Sequence, residues 1–268
     1  MENSTNIILA SPPSYTRQAE SSGLTTAHML YRVGRGFHLY RADAPVSPSG
    51  GLMMIDMSGF SDGGPTEILI SEILGECRRF GYTGVVLDIS GRVSPLVRSL
   101  AEILTQVAKE TGLRIFIPKS IAGSGDNFFV LVSTAITEGS LSKHLSDAVA
   151  QYGAARVALE IECMRTDFTL SSANDSGYDL SPEELNHLIK SRGATVFFSK
   201  ELSTFYFTYR TKSESHFVLY DDGLSIKRKL RIAEALGIKT AFFTTLMYVI
   251  IWTIFSRNFR PVQPTRES

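Results

Sequence analysis

The stretch GYTGVVLDISGRVSPLVRSLAEILTQVAKETGLRIFIP, residues 81–118, decides the fold. It opens on a short apolar run, GVVLDI (84–89), passes through a helical pattern, SPLVRSLAEILTQVAKETG (94–112), and closes on a second apolar run, LRIFIP (113–118). Ser94 before Pro95 reads as a helix N-cap with proline at the first helical position, where its missing N–H costs no hydrogen bond. Gly112 supplies the residue that ends a helix in the left-handed conformation. A strand, a helix and a second strand in this order make a parallel βα unit.

The same alternation extends in both directions. Further apolar runs are NIILAS (6–11), AHMLYR (27–32), GLMMIDM (51–57), FFVLVS (128–133), RVALEIE (156–162) and KTAFFT (239–244), which with the two above makes eight. Strands covered on both faces read as nearly continuous apolar runs, and these do. Helical patterns fill 65–81, 140–153 and 224–237, each ending in glycine; the helix after the first strand is poorly defined. Eight strands in 268 residues predict a single (β/α)8 barrel over residues 1–255, since that fold takes roughly 250 residues. One segment breaks the pattern. Residues 168–222 hold a polar loop, a helix opened by Ser181–Pro182, and the β-rich stretches ATVFFS, TFYFTYR and HFVLY. They predict a small α+β insertion between strands seven and eight. The polar residues 256–268 read as a disordered tail.

Composition narrows the function classes. Lys plus Arg and Asp plus Glu both number 27, so bulk charge suggests no nucleic-acid partner. Cys77 and Cys163 lack metal-ligand spacing and read as buried free thiols in a reducing compartment. The five histidines, His28, His38, His144, His187 and His216, show no metal spacing either, and no cofactor motif is present. The N-terminus has no basic region followed by an apolar stretch, so the chain reads as cytoplasmic. AFFTTLMYVIIWTIF (241–255) is short of the roughly 17 to 25 residues that span a bilayer; it reads as a last strand running into an apolar helix, with membrane docking as the alternative.

GYTGVVLDIS (81–90) resembles the fourth strand of the family 18 glycoside hydrolases, where the pattern G-F-D-G-x-D-x-D-x-E aims three acids into the barrel mouth on alternate residues. Gly81, Tyr82 and Gly84 match. The two inner aspartates fall on Val86 and Asp88, and the terminal glutamate falls on Ser90. The second half is similar to the shorter bacterial members associated with spore cortex and peptidoglycan, through His216, Val218, Tyr220, Asp222, Ser225, Ile226 and Lys229. The resemblance implies a GlcNAc-type substrate and a mechanism using the substrate's own acetamide as nucleophile. It also implies that the acid is missing, because a serine hydroxyl holds its proton too tightly for general-acid work. The supporting Tyr-Asp pair falls on Thr134 and Ala135, and the tryptophan that floors the sugar site falls on Phe242 or Phe243.

The candidate glycan-binding residues are therefore Asp88, Arg165, Asp167, Tyr220, Phe242 and Phe243. Asp88 could equally be a buried acid paired within the barrel. Asp56, Glu160 and Glu162 stand near strand ends, where barrel active sites are built, and are candidates for a relocated acid; an interior salt bridge with Arg165 is the plainer reading. The aromatics Phe205, Tyr206, Phe207, Tyr209 and Tyr220 read as the core of the insertion. The expectation is a barrel that binds a GlcNAc-containing glycan, or a sporulation-associated partner, without cutting it. An active glycosidase using the relocated acids, and an interaction scaffold docked to a membrane through 241–255, are the alternatives.

Overall fold

The computed structural model describes residues 5–58, 63–89, 93–170, 177–245 and 247. In chain order the elements are β1 (Asn6–Ser11), α1 (Thr16–Ser21), β2 (Thr25–Val33), β3 (Leu39–Arg41), β4 (Leu52–Asp56), α2 (Thr66–Phe80), β5 (Gly84–Asp88), α3 (Pro95–Thr111), β6 (Arg114–Pro118) and β7 (Phe129–Ser133). There follow α4 (Leu141–Tyr152), β8 (Val157–Ile161), β9 (Arg165–Thr169), β10 (Tyr178–Asp179), α5 (Pro182–Ser191), β11 (Phe197–Ser199), β12 (Thr204–Arg210), β13 (Ser215–Tyr220), α6 (Gly223–Ala235) and β14 (Thr240–Thr244).

The strands β1, β14, β8, β7, β6, β5, β4 and β2 are neighbours in that order, and β1 pairs with β2 to close the ring. All eight predicted strands take part, so the fold is a closed (β/α)8 barrel, with β3 added antiparallel on β2. Helices form where the sequence places caps. Ser94 Oγ accepts a hydrogen bond from Val97 N at 3.3 Å, and Gly81 and Gly112 end α2 and α3 in the left-handed region, with φ of 69° and 70°. Alternate strand residues point inward and fill the barrel with an apolar cluster that includes Ile8, Ala27, Leu52, Met54, Val86, Phe116, Leu131 and Phe242.

The chain divides into two compact units, one of Met1–Val132, Ala148–Glu160 and Ile238–Ser268, the other of Ser133–Asp147 and Ile161–Gly237. The second unit holds an antiparallel sheet in the order β10-β9-β13-β12-β11. That sheet begins at Arg165, earlier than the boundary at 168 read from the sequence, because β9 pairs with β13 from Arg165 opposite Tyr220 onward. Helix α5 carries a capping box between Ser181 and Glu184. The aromatic-rich strands do form this unit's core: Phe207 is fully buried with Leu180, Leu185 and Val218, and Tyr209 and Tyr220 pack against them. No helix among the described residues is long and apolar enough to cross a membrane. Residues 248–268, and with them most of the 241–255 segment and the whole tail, lie outside the described residues.

Candidate functional site

Side chains alternate along a strand, so β5 carries Val86 and Asp88 on one face. Val86 is sealed in the apolar interior at 0% exposure. Asp88, one step nearer the strand end, is half-buried and lines a cavity of about 470 Å³. Asp56 of β4 lines the same cavity and is the register partner of Asp88; Arg32 of β2 is in turn the register partner of Asp56. In-register residues on parallel neighbours share a face, so Arg32, Asp56 and Asp88 form a row across three strand ends. Met29, Met54, Tyr40 and Arg41 complete the cavity's apolar floor and outer rim. Asp56 Oδ1 accepts from Ser58 N at 2.7 Å, which fixes its carboxylate against the following loop.

Arg41 is held at the rim, 3.6 Å from Glu76 Oε2 and 4.7 Å above the Phe80 ring. Glu76 also accepts from Tyr31 Oη at 3.0 Å, and Tyr31 Oη lies 3.2 Å from Tyr82 Oη. Burial pushes the Tyr31 phenol up to about 12, so it stays a donor and clamps β2 to α2. Among the described residues, no side chain restrains the remaining guanidinium of the cavity, that of Arg32.

The second unit has its own cavity, of about 530 Å³, lined by Glu162, Cys163, Arg165, Thr166 and Asp179 among others. Glu162 is exposed and accepts from Ser133 Oγ at 2.6 Å. Arg165 opens β9, donating from Nε to Leu180 O at 3.1 Å and from Nη1 to Cys163 Sγ at 3.4 Å. Cys163 is half-buried and Cys77 buried, both as free thiols. Burial pushes Cys77 up to about 12 and raises Cys163 as well. Asp167, also on β9, accepts from Tyr209 Oη at 2.5 Å and bonds His216 Nδ1 at 3.1 Å. Its carboxylate is thereby engaged within the sheet. Tyr220 stacks on Phe205, with ring centres 5.5 Å apart.

The sequence-predicted residues therefore separate. Asp56 and Asp88 come together; Glu162 and Arg165 share the second unit's cavity. Glu160 lies half-buried on the face of β8 that carries Ala158. Phe242 is 4% exposed and meets Phe116 edge-on at 5.1 Å, while Phe243 is 3% exposed on the opposite face of β14. Both are packing residues here, and the flat exposed floor expected of them is not what the strand presents. Ser90 lies outside the described residues. Thr134, where the family's tyrosine would stand, is fully buried, and Ala135 packs beside Met164 and Leu219.

Two features went unread in the sequence. One is Arg32. The other is the role of Lys229, which the resemblance marks only as a motif residue: in a buried polar knot of the second unit its Nζ meets Asp221 Oδ2 at 2.7 Å, with both side chains at 0% exposure. Asp221 also accepts from Ser225 Oγ at 2.7 Å, Thr204 Oγ1 at 3.1 Å and Met164 N at 3.2 Å. Among the described residues no group of three or more His, Cys, Asp or Glu could hold a metal ion.

No protein-family model matches the sequence, and no curated protein matches it significantly. Solved structures do share its fold. The spore cortex-lytic enzyme SleL of Bacillus cereus superposes with a TM-score of 0.71 at 14% identity, covering 97% of this chain and 75% of that one. A chitinase of Chromobacterium violaceum gives 0.67 at 12%, covering 96% and 100%. The family 18 chitinase of Cycas revoluta, in complex with (GlcNAc)3, gives 0.62 at 15%, covering 92% and 96%. What the chain shares with these proteins is the closed (β/α)8 barrel fold.

Proposed function

We propose that this chain is a family 18-like barrel that binds an N-acetylglucosamine-containing glycan at its mouth without cutting it. The observation that carries this is the split along β5. Val86 sits in the apolar interior at the place of an inward acid, while Asp88 keeps its place beside the cavity. A carboxylate there can accept from sugar hydroxyls or from an acetamide N–H. A single carboxylate cannot both protonate the leaving oxygen and stabilise the acetamide, and Ser90 is no general acid. The solved structures that share the fold include both spore cortex-lytic enzymes and a chitinase bound to (GlcNAc)3, which supports a GlcNAc-containing glycan as the ligand class.

The test is titration calorimetry of the full chain with (GlcNAc)4 and with cortex glycan, alongside a turnover assay. Saturable binding that Asp88→Ala abolishes, with no product formed, supports the reading. Turnover that disappears in Asp88→Ala overturns it. One observation favours a second reading, an active glycosidase with relocated acids. Asp56 and Asp88 are register partners on adjacent strands, so their backbones lie about 4.8 Å apart, and two neighbouring carboxylates can split into an acid and a base. Hydrolysis lost in Asp56→Asn or Glu162→Gln would promote that reading over the first.

A further inference from the structure

Resting on the proposed glycan site, we infer that the mouth selects a carboxylate-bearing N-acetylglucosamine glycan over a neutral one, and that Arg32 reads the charge. The row Arg32, Asp56, Asp88 runs across β2, β4 and β5 in register. Strands are spaced about 4.8 Å apart, so Arg32 and Asp88 stand about 10 Å apart at the backbone. The cavity is thus polarised, cationic on the β2 side and anionic on the β5 side. A neutral oligomer has nothing to offer the cationic end beyond hydroxyls.

Every other charge that lines this cavity has an assigned occupation. Arg41 is drawn toward Glu76 and lies over Phe80. The Asp56 carboxylate accepts from the Ser58 backbone, and Asp88 has a partner of its own. Arg32 is exposed within the cavity wall, and among the described residues its guanidinium makes neither a hydrogen bond nor an ion pair, even with the carboxylate of its in-register neighbour Asp56. Its planar fork of donors matches a carboxylate bidentately. The acids at the other end repel a free anion, which a ligand avoids by placing its carboxylate at Arg32 and its neutral acetamide and hydroxyl groups at Asp56 and Asp88. The inference is therefore for an anionic sugar polymer with separated charge and amide groups, and not for a small anion.

The experiment compares a tetramer of alternating N-acetylglucosamine and its lactyl-ether, carboxylate-bearing counterpart with (GlcNAc)4, by calorimetry at low and high salt. The expected result is tighter binding of the anionic tetramer by about tenfold at low salt. That advantage shrinks as salt screens the pair, and largely disappears in Arg32→Gln and reverses in Arg32→Glu. Equal affinity for both tetramers, or an advantage untouched by Arg32→Gln, overturns the inference while leaving the glycan site standing. Failure of both tetramers to bind the parent chain overturns the site itself. A far-UV spectrum and melting point for each variant establish that the chain is folded.

Discussion

Replacing Lys229 with methionine tests the buried knot of the second unit. The ammonium is at 0% exposure and 2.7 Å from Asp221 Oδ2, whose side chain is equally buried. Removing one partner of such a pair leaves an uncompensated buried charge, which costs about 3–5 kcal/mol. Asp221 keeps three other donors, Ser225 Oγ, Thr204 Oγ1 and Met164 N, so the cost belongs at the lower end, about 3 kcal/mol. For a chain of this size that is a fall in Tm of roughly 6–12 °C. Urea titration followed by circular dichroism, with calorimetry, measures it. Adding Asp221→Asn to Lys229→Met removes the stranded charge and keeps an acceptor for Ser225 and Thr204, so the double variant should recover at least half the loss. A Lys229→Met chain within about 1 kcal/mol of the parent would refute the reasoning, as would a double variant less stable than the single one.

Two further outcomes follow from burial. The His28 imidazole is 1% exposed, and burial pulls it from 6.5 down to about 4, partly offset by a hydrogen bond to the Gly50 backbone. Between pH 6.5 and 4 the unfolded chain takes up a proton that the folded chain refuses. Stability is therefore complete above 6.5 and falls, by up to about 3 kcal/mol, as pH drops to 4; His28→Gln should flatten that slope, and an NMR titration of His28 centred near 6.5 would contradict it. The Cys77 thiol, pushed up to about 12, should resist iodoacetamide at pH 8 in the native chain and react at the ordinary rate in urea, as read by mass spectrometry; rapid native labelling at Cys77 would count against its burial.

The barrel was legible because its strands are covered on both faces, which turns each into an apolar run that no amphipathic helix imitates. The insertion's core was legible for a related reason: TFYFTYR and HFVLY are aromatic and β-branched, and such residues fit a pleated, half-buried surface. The short edge pieces β3 and β10 were not. LYR and YD carry no pattern, and only their pairing partners define them. Arg32 was hidden by a register shift. Strict alternation from Ala27 in AHMLYR turns Tyr31 inward and Arg32 outward, but the pairing of β2 with β4 shifts between His28 and Tyr31. Tyr31 then reaches Glu76 and Tyr82, and Arg32 falls in line with Asp56. Lys229 was legible as the last residue of the shared motif, but its burial was not, since Lys227, Arg228 and Arg231 stand around it. Only its spacing from Ile226 and Ala233, both buried on α6, marks it as inward.

The apolar character of position 86 is shared by everything around it. Val86 packs in one cluster with Leu52, Met54, Phe116, Leu131 and Phe242. Within it Phe116 stacks on Phe129 at 4.8 Å and takes the edge of Phe242 at 5.1 Å. An ionised side chain in that layer would be buried among carbon atoms, at a cost of several kcal/mol unless it found a partner or gave up its charge. The aromatic packing occupies the space in which such a partner would stand. The barrel is thus filled by side chains up to the layer of Val86, and polar chemistry begins one residue higher, where Arg32, Asp56 and Asp88 end their strands. On the inward face of β5, position 86 is a buried valine and 88 an aspartate beside the cavity. That upper layer holds the Asp56 and Asp88 carboxylates beside a guanidinium, Arg32, that has no side-chain partner among the described residues, and it is the layer on which the proposed recognition rests.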